Sequence, residues 1–277
     1  MPKSWPLWSV DPWTTILGGP KEKIWFPFTL RHCEDVMKAV VLAAGKGSRI
    51  GSDSRGIPKS FLEVNGKKII EHQVDAIKAL GDAVSEIVIV TGYKNWLFEE
   101  LFGKDPKITL VKNPFYEHCN VLGSLWFARN YFSEGFFFMH ADTLFDPPVL
   151  QKLKEATGSV RFAVEFKNTV EEEMKVRVVD GKVVEVNKTM DCKSAHGEFT
   201  GVALISPEVA NTLKAQVEQI IERDLELNRF FEHAVQQLID ADKIQVQAVD
   251  IEDFRSIEID FPEDFERAQK TFEKGFQ

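Results

Sequence analysis

Leu42-Ala43-Ala44-Gly45-Lys46-Gly47-Ser48-Arg49-Ile50-Gly51 overlaps and continues an apolar run at 38–43, the first strand-like segment of the chain. Small residues directly after a strand let backbone amides approach a ligand, and Gly45 and Gly47 admit dihedrals that a side chain forbids. A nucleoside triphosphate suits such a turn. It is not the dinucleotide fingerprint, because Gly45 and Gly47 are followed by Ile50, with Gly51 one place late. Nor is it a Walker loop, since Gly-Lys-Ser and Gly-Lys-Thr occur nowhere in the chain.

Outward from this turn, strand-like and helix-like segments alternate. The apolar runs at 38–43, 86–91, 108–111 and 136–140 read as strands buried on both faces, and 69–80, 95–102 and 121–132 as helices between them. That alternation predicts a parallel sheet with helices on both sides. Beyond residue 160 the strand candidates 161–166, 174–179, 182–186 and 199–205 lie close together, with Asp180-Gly181 as a hairpin turn. Antiparallel additions to the sheet are expected there. Helices at 207–217 and 223–240, a strand at 244–249 and a helix after Pro262 complete the pattern. The expected fold is α/β, a Rossmann-like, mostly parallel mixed sheet with helices on both faces, formed by one domain over 37–277.

Residues 1–36 differ, holding four of the six tryptophans and five of the twelve prolines without period. Pro6, Asp11 and Pro12 interrupt every candidate signal-peptide core. The segment reads either as an upstream-extended start or as an aromatic arm. The chain of 277 residues carries a formal charge of −9, which argues against an electrostatic grip on nucleic acid. No apolar run approaches the roughly 20 residues of a membrane span. Cys33, Cys119 and Cys192 are too scattered for a disulfide framework or zinc site, so a reducing, cytoplasmic setting is expected.

The glycine turn with Pro58-Lys59 after it resembles the signature of the sugar-1-phosphate nucleotidyltransferase superfamily, and the likeness extends over 38–274. Thr91-Gly92-Tyr93, Asn113-Pro114, His140-Ala141-Asp142 and the stretch from Glu258 to Asp264 fall where that fold carries functional segments. Residues Tyr116 to Asn120 with Ser124-Leu125, Glu173 to Lys175, Lys188 and Gly197 to Gly201 resemble the small cytidylyltransferases that use phosphocholine, 2-aminoethylphosphonate or inositol phosphate. The resemblance implies CTP as donor, or another nucleoside triphosphate, with Mg²⁺, a small phosphorylated acceptor and a possible homodimer. Cys119 and Gly123 at the asparagine motif speak against an aromatic choline cage, so the acceptor stays open.

The implied reaction is attack of a phosphate or phosphonate oxygen on the α-phosphorus, expelling pyrophosphate. Both partners are anionic, so charge must be countered more than protons moved. Arg49 can fork two phosphate oxygens and Lys59 can place a compact charge nearby, although both residue types are ordinarily solvated. The resemblance assigns both to the triphosphate, with Lys188 facing the acceptor phosphate. Asp142 should emerge at the carboxyl end of an apolar strand, where such sheets bind ligands and where a carboxylate suits Mg²⁺. Asp260 is the metal partner that the resemblance implies, with a helix cap as the competing role. Leu42, Ala43, Ala44, Gly45, Lys46, Gly47 and Ser48 line the expected nucleotide turn. Gly92, Tyr93, Asn113, Asn120 and Ser124 are candidates for the base, ribose or acceptor pocket. Glu198 either meets a cationic acceptor head group or forms a structural ion pair. His140 reads as a packed strand-end residue, because ionised phosphates need no general base.

The tripeptide His140-Ala141-Asp142 lacks the first aspartate of the glycosyltransferase D-x-D, which makes that class a distant rival. A uridylyl- or thymidylyltransferase for sugar 1-phosphates and a non-catalytic nucleotide-binding regulator are further alternatives.

Overall fold

Alternation along two strands organises the core. In β1 (Met37–Ala43), Ala39 and Val41 face one side and Val40 the other. In β6 (Phe136–His140), Phe137 and Met139 separate in the same way from Phe136 and Phe138. Each strand therefore feeds two hydrophobic layers, and helices must cover both faces.

The computed structural model describes residues 36–47 and 56–276. Ser48, Arg49 and the extension expected over 1–36, save Val36, lie outside them. After β1 come a short hairpin of β2 (Glu63–Val64) and β3 (Lys67–Lys68), α1 (Ile69–Ala79), β4 (Val84–Thr91), α2 (Asn95–Phe102), β5 (Ile108–Lys112) and α3 (Val121–Phe127). Following β6 are β7 (Thr143–Phe145), α4 (Pro148–Glu155), β8 (Val160–Glu165), β9 (Lys175–Val179), β10 (Lys182–Asn187) and β11 (Gly197–Ile205). Then follow α5 (Pro207–Glu218), α6 (Phe231–Asp240), β12 (Val246–Asp250), β13 (Ser256–Glu258) and α7 (Pro262–Thr271).

Nine strands form one sheet in the order β5-β4-β1-β6-β11-β8-β12-β10-β9. The first four run parallel, and β8 pairs parallel with β12. β11 runs against both β6 and β8, and β10 against β12 and β9. This is the mixed sheet expected from the sequence. One face is covered by α3, α5 and α6, the other by α1, α2 and α4. A third apolar cluster joins α7 to β13 and β7 through Ile257, Ala268, Phe272 and Leu144.

Register matters most for the site. Ala43 pairs with Thr91, Leu42 with His140 and Thr91 with Lys112, so the carboxyl ends of four parallel strands form one rim. Here the sheet meets the glycine turn.

The expected helix at 223–240 is corrected: helical backbone stops at Arg223 in a π-turn and resumes only at Phe231. Leu225 takes a left-handed φ of 57°, and the non-helical segment after it uses its carbonyls to satisfy amides elsewhere. Leu227 O accepts from Asn120 N–H and Arg229 O from Leu122 N–H, supplying partners for amides at the start of α3 that have none within the helix. The expected helix at 121–132 likewise shortens to α3, with a separate 3₁₀ turn at Arg129–Tyr131. No helix of the described residues is long and apolar enough to cross a membrane.

Candidate active site

Lys59 opens a 3₁₀ turn behind Pro58 and runs alongside the glycine turn. Gly47 has φ +66°, and a Cβ there would lie 2.2 Å from Lys59 Cγ, so both dihedral and space demand glycine. The ammonium of Lys59, 9% exposed, lies 3.2 Å from Asp142 Oδ2 and also donates to Asp260 Oδ1. Burial works against this charge, yet Asp142 and Asp260 outweigh it and hold the lysine above its ordinary value.

Asp142 follows β6 as the sequence implied, and its carbonyl receives Ile259 N–H at 3.0 Å. Burial pushes its carboxyl up from the ordinary range, with Lys59 pulling the other way. Asp260 does not cap α7. The amides of Asp260 and Phe261 both donate to Asp264 Oδ2, at 3.1 and 2.9 Å, so the capping role belongs to Asp264 while Asp260 meets Lys59.

The antiparallel pair β7 and β13 sets Glu258 opposite Thr143. Glu258 thereby reaches His140, with Oε1 3.6 Å from Nδ1. His140 packs at the end of β6 and also lines a cavity, and one donor atom each from His140, Asp142 and Glu258 lie within 4.8 Å of one another. Burial opposes its charge, but Glu258 prevails and pushes the imidazole up to about 9. Of the three, the carboxylate oxygens of Asp142 and Glu258 are the donors suited to a hard dication. Gly201, at φ +76°, permits this packing, since a Cβ would stand 2.9 Å from His140 Nδ1.

The remaining candidates form a frame around these groups. Ala43, Gly45 and Gly47 share a small cavity of about 50 Å³ with Lys59 and Asp142. Ala44 O accepts from Tyr93 N–H at 2.9 Å, and a Cβ on Gly92 would strike that carbonyl at 2.7 Å. Lys46 is exposed and paired with Glu117. Leu42, Asn120 and Lys188 line a cavity of about 140 Å³ together with Asp142 and Asp260. Asn120 Oδ1 accepts from Val121 N–H at 2.8 Å at the start of α3. Asn113 is fully buried beneath this loop, donating to Ser124 Oγ at 3.1 Å and accepting from Phe115 N–H at 2.8 Å. Those two residues shape the loop. Glu198 meets Lys167 at 2.7 Å, where Glu165 and Glu173 also converge on the ammonium at 2.8 and 3.0 Å. Burial pushes Glu198 up to about 7, Lys167 opposing.

Glu232 escaped the sequence reading, which placed Glu258 and Lys175 within resembling segments but gave neither a role. Glu232 carried a usable signal, being an acid among Phe231, Ala234, Val235 and Leu238 on the buried face of α6. Lys175, 1% exposed, donates to the carbonyls of Glu171, Glu173 and Lys188.

A family model described as the MobA-like NTP transferase domain matches residues 39–189. The CMP-5'-(3-aminopropyl)phosphonate synthase of Streptomyces rubellomurinus is 37% identical over 123 residues, which are 43% of this chain and 19% of that protein. The chain thus spans about a fifth of that relative's length. The CTP:phosphoglutamine cytidylyltransferase of Campylobacter jejuni is 25% identical over 252 residues, covering 83% of this chain and 98% of the relative. Among solved structures, the inositol-1-phosphate CTP transferase from T. maritima superposes with a TM-score of 0.70 at 23% identity, over 87% of this chain and 98% of that one. The CTP:phosphocholine cytidylyltransferase from Streptococcus pneumoniae gives 0.70 at 20% identity, over 85% and 98%. These two likenesses establish the shared fold.

Proposed function

The chain belongs to the MobA-like NTP transferase domain family, and from that premise we propose that it transfers CMP from CTP to a small phosphorylated or phosphonylated acceptor, releasing pyrophosphate. One observation carries the reading: the buried Lys59 ammonium between Asp142 and Asp260, beside the glycine turn and at the carboxyl ends of β1 and β6. Transfer between two anions needs fixed positive charge where negative charge accumulates. Lys59 supplies it from a site already desolvated and held in place by two carboxylates. The glycine turn would offer backbone amides to the triphosphate, and Lys188, which lines the same cavity as Asp142 and Asp260, would meet the acceptor phosphate.

Asp142 and Asp260 would hold Mg²⁺, which when bound would neutralise phosphate charge. The relatives named for CTP and for phosphate or phosphonate acceptors support the choice of donor and acceptor class. Arg49, outside the described residues, is proposed as a second cation for the triphosphate.

Pyrophosphate release tests the reading, with the full chain, Mg²⁺, each of the four nucleoside triphosphates and a panel of phosphorylated alcohols and amines. Acceptor-dependent release with CTP ahead of the others is expected. Tight nucleotide binding without product would favour a regulator instead.

A further inference from the structure

Glu232 stands second in α6, is 2% exposed, and has no hydrogen-bond partner for either carboxylate oxygen outside its own residue among the described residues. An ionisable group buried without partners is costly to folding and is ordinarily compensated. Glu232 belongs to the lining of the cavity of about 140 Å³ that also contains Asp142, Asp260 and Lys188. Phosphate chemistry is therefore placed on one part of this lining and an unsatisfied carboxylate on another. The walls contributed by Met174, Phe199 and Phe230 offer no side-chain donor. His140 lines the same cavity and its Nε2 also lacks a partner, so no hydrogen bond between the two satisfies Glu232.

We propose that Glu232 selects the acceptor, receiving a primary ammonium group carried at the end remote from the acceptor's phosphate or phosphonate. This deepens, and rests on, the CMP-transfer reading. The chemistry discriminates among head groups. An ammonium brings up to three N–H donors and a positive charge to a cavity lined by four carboxylates, those of Asp142, Glu232, Glu258 and Asp260. A neutral hydroxyl brings a donor without the charge. A quaternary ammonium brings the charge without a donor, and such groups are recognised by open aromatic faces. The Phe230 face is already met by the Lys188 ammonium, 5.3 Å from the ring centroid.

The test measures CMP transfer from CTP to 2-aminoethyl phosphate, 2-hydroxyethyl phosphate and phosphocholine, by the unaltered chain and by Glu232→Gln. The expected kcat/KM for the primary amine exceeds that for the hydroxyl analogue by about a hundredfold, with phosphocholine also disfavoured. In Glu232→Gln the loss should fall mainly on KM for the amine and leave the hydroxyl acceptor nearly unaffected, which a general structural defect would not do. If the variant does not fold, the acceptor ranking of the unaltered chain decides. Comparable kcat/KM for all three acceptors would overturn this inference while leaving CMP transfer standing. Absence of transfer from CTP to every acceptor, the wider panel included, would overturn both.

Discussion

Lys59 is where opposing demands meet: burial disfavours its charge, and two carboxylates more than restore it. The charge-stabilising role proposed for it predicts that Lys59→Ala and Asp142→Ala each lower turnover by at least about a hundredfold with the fold retained. Pyrophosphate release and far-UV circular dichroism check this, and near-normal rates in either variant would remove the assignment. A second residue-scale prediction concerns Glu198, whose carboxyl burial raises to about 7 from 4.5. An acid raised in the folded state binds more protons there than unfolded, so the associated stability is present at low pH and is lost as pH rises through about 7. Lys167 limits that loss. Lys167→Met should therefore depress the melting temperature more at pH 8 than at pH 5; an equal drop at both would contradict the account. Lys59 and Asp142 were legible because each sits beside a recognisable punctuation, Pro58 or the end of an apolar strand. Glu232 was not, and the roles of Glu258 and Lys175 within their resembling segments were not, because their significance lies in what faces them across the chain.

At the scale of elements, α7 matters less for its length than for how it begins. Asp264 reaches back to the amides of Asp260 and Phe261, setting the approach of Asp260 to Lys59. Asp264→Ala should cost about 1 kcal/mol of stability, as a lost cap does. It should also weaken the Mg²⁺ dependence of turnover, measured by titrating the metal; an unchanged titration would show that the cap does not position Asp260. The strongly periodic helices and apolar strands were readable from spacing alone. The region after α5 was not, because 223–240 has helical composition while its first part is drawn into non-helical backbone whose carbonyls serve α3. The short pairing of β7 with β13 was also invisible, since two three-residue strands 113 positions apart at their starts leave no local pattern.

At the scale of the whole molecule, β1 opens at Met37 and is flanked in parallel register by β4 and β6, which makes it an interior strand. A chain beginning at Met37 should accordingly keep CMP transfer near that of the full chain; a soluble but inactive truncation would show that residues 1–36 contribute to the site. The amino-acid sequence by itself determined the α/β sheet, the covering of both its faces, and the glycine turn with Lys59 and Asp142 near it. Hydrophobic period and steric freedom act over a few residues and so are written locally. Tertiary structure alone decided that Asp260 faces Lys59 instead of capping its helix, that Glu258 meets His140, and that Glu232 is buried without a partner. Those outcomes depend on desolvation and charge balance among groups far apart in the chain, which exist only once the sheet has closed around them.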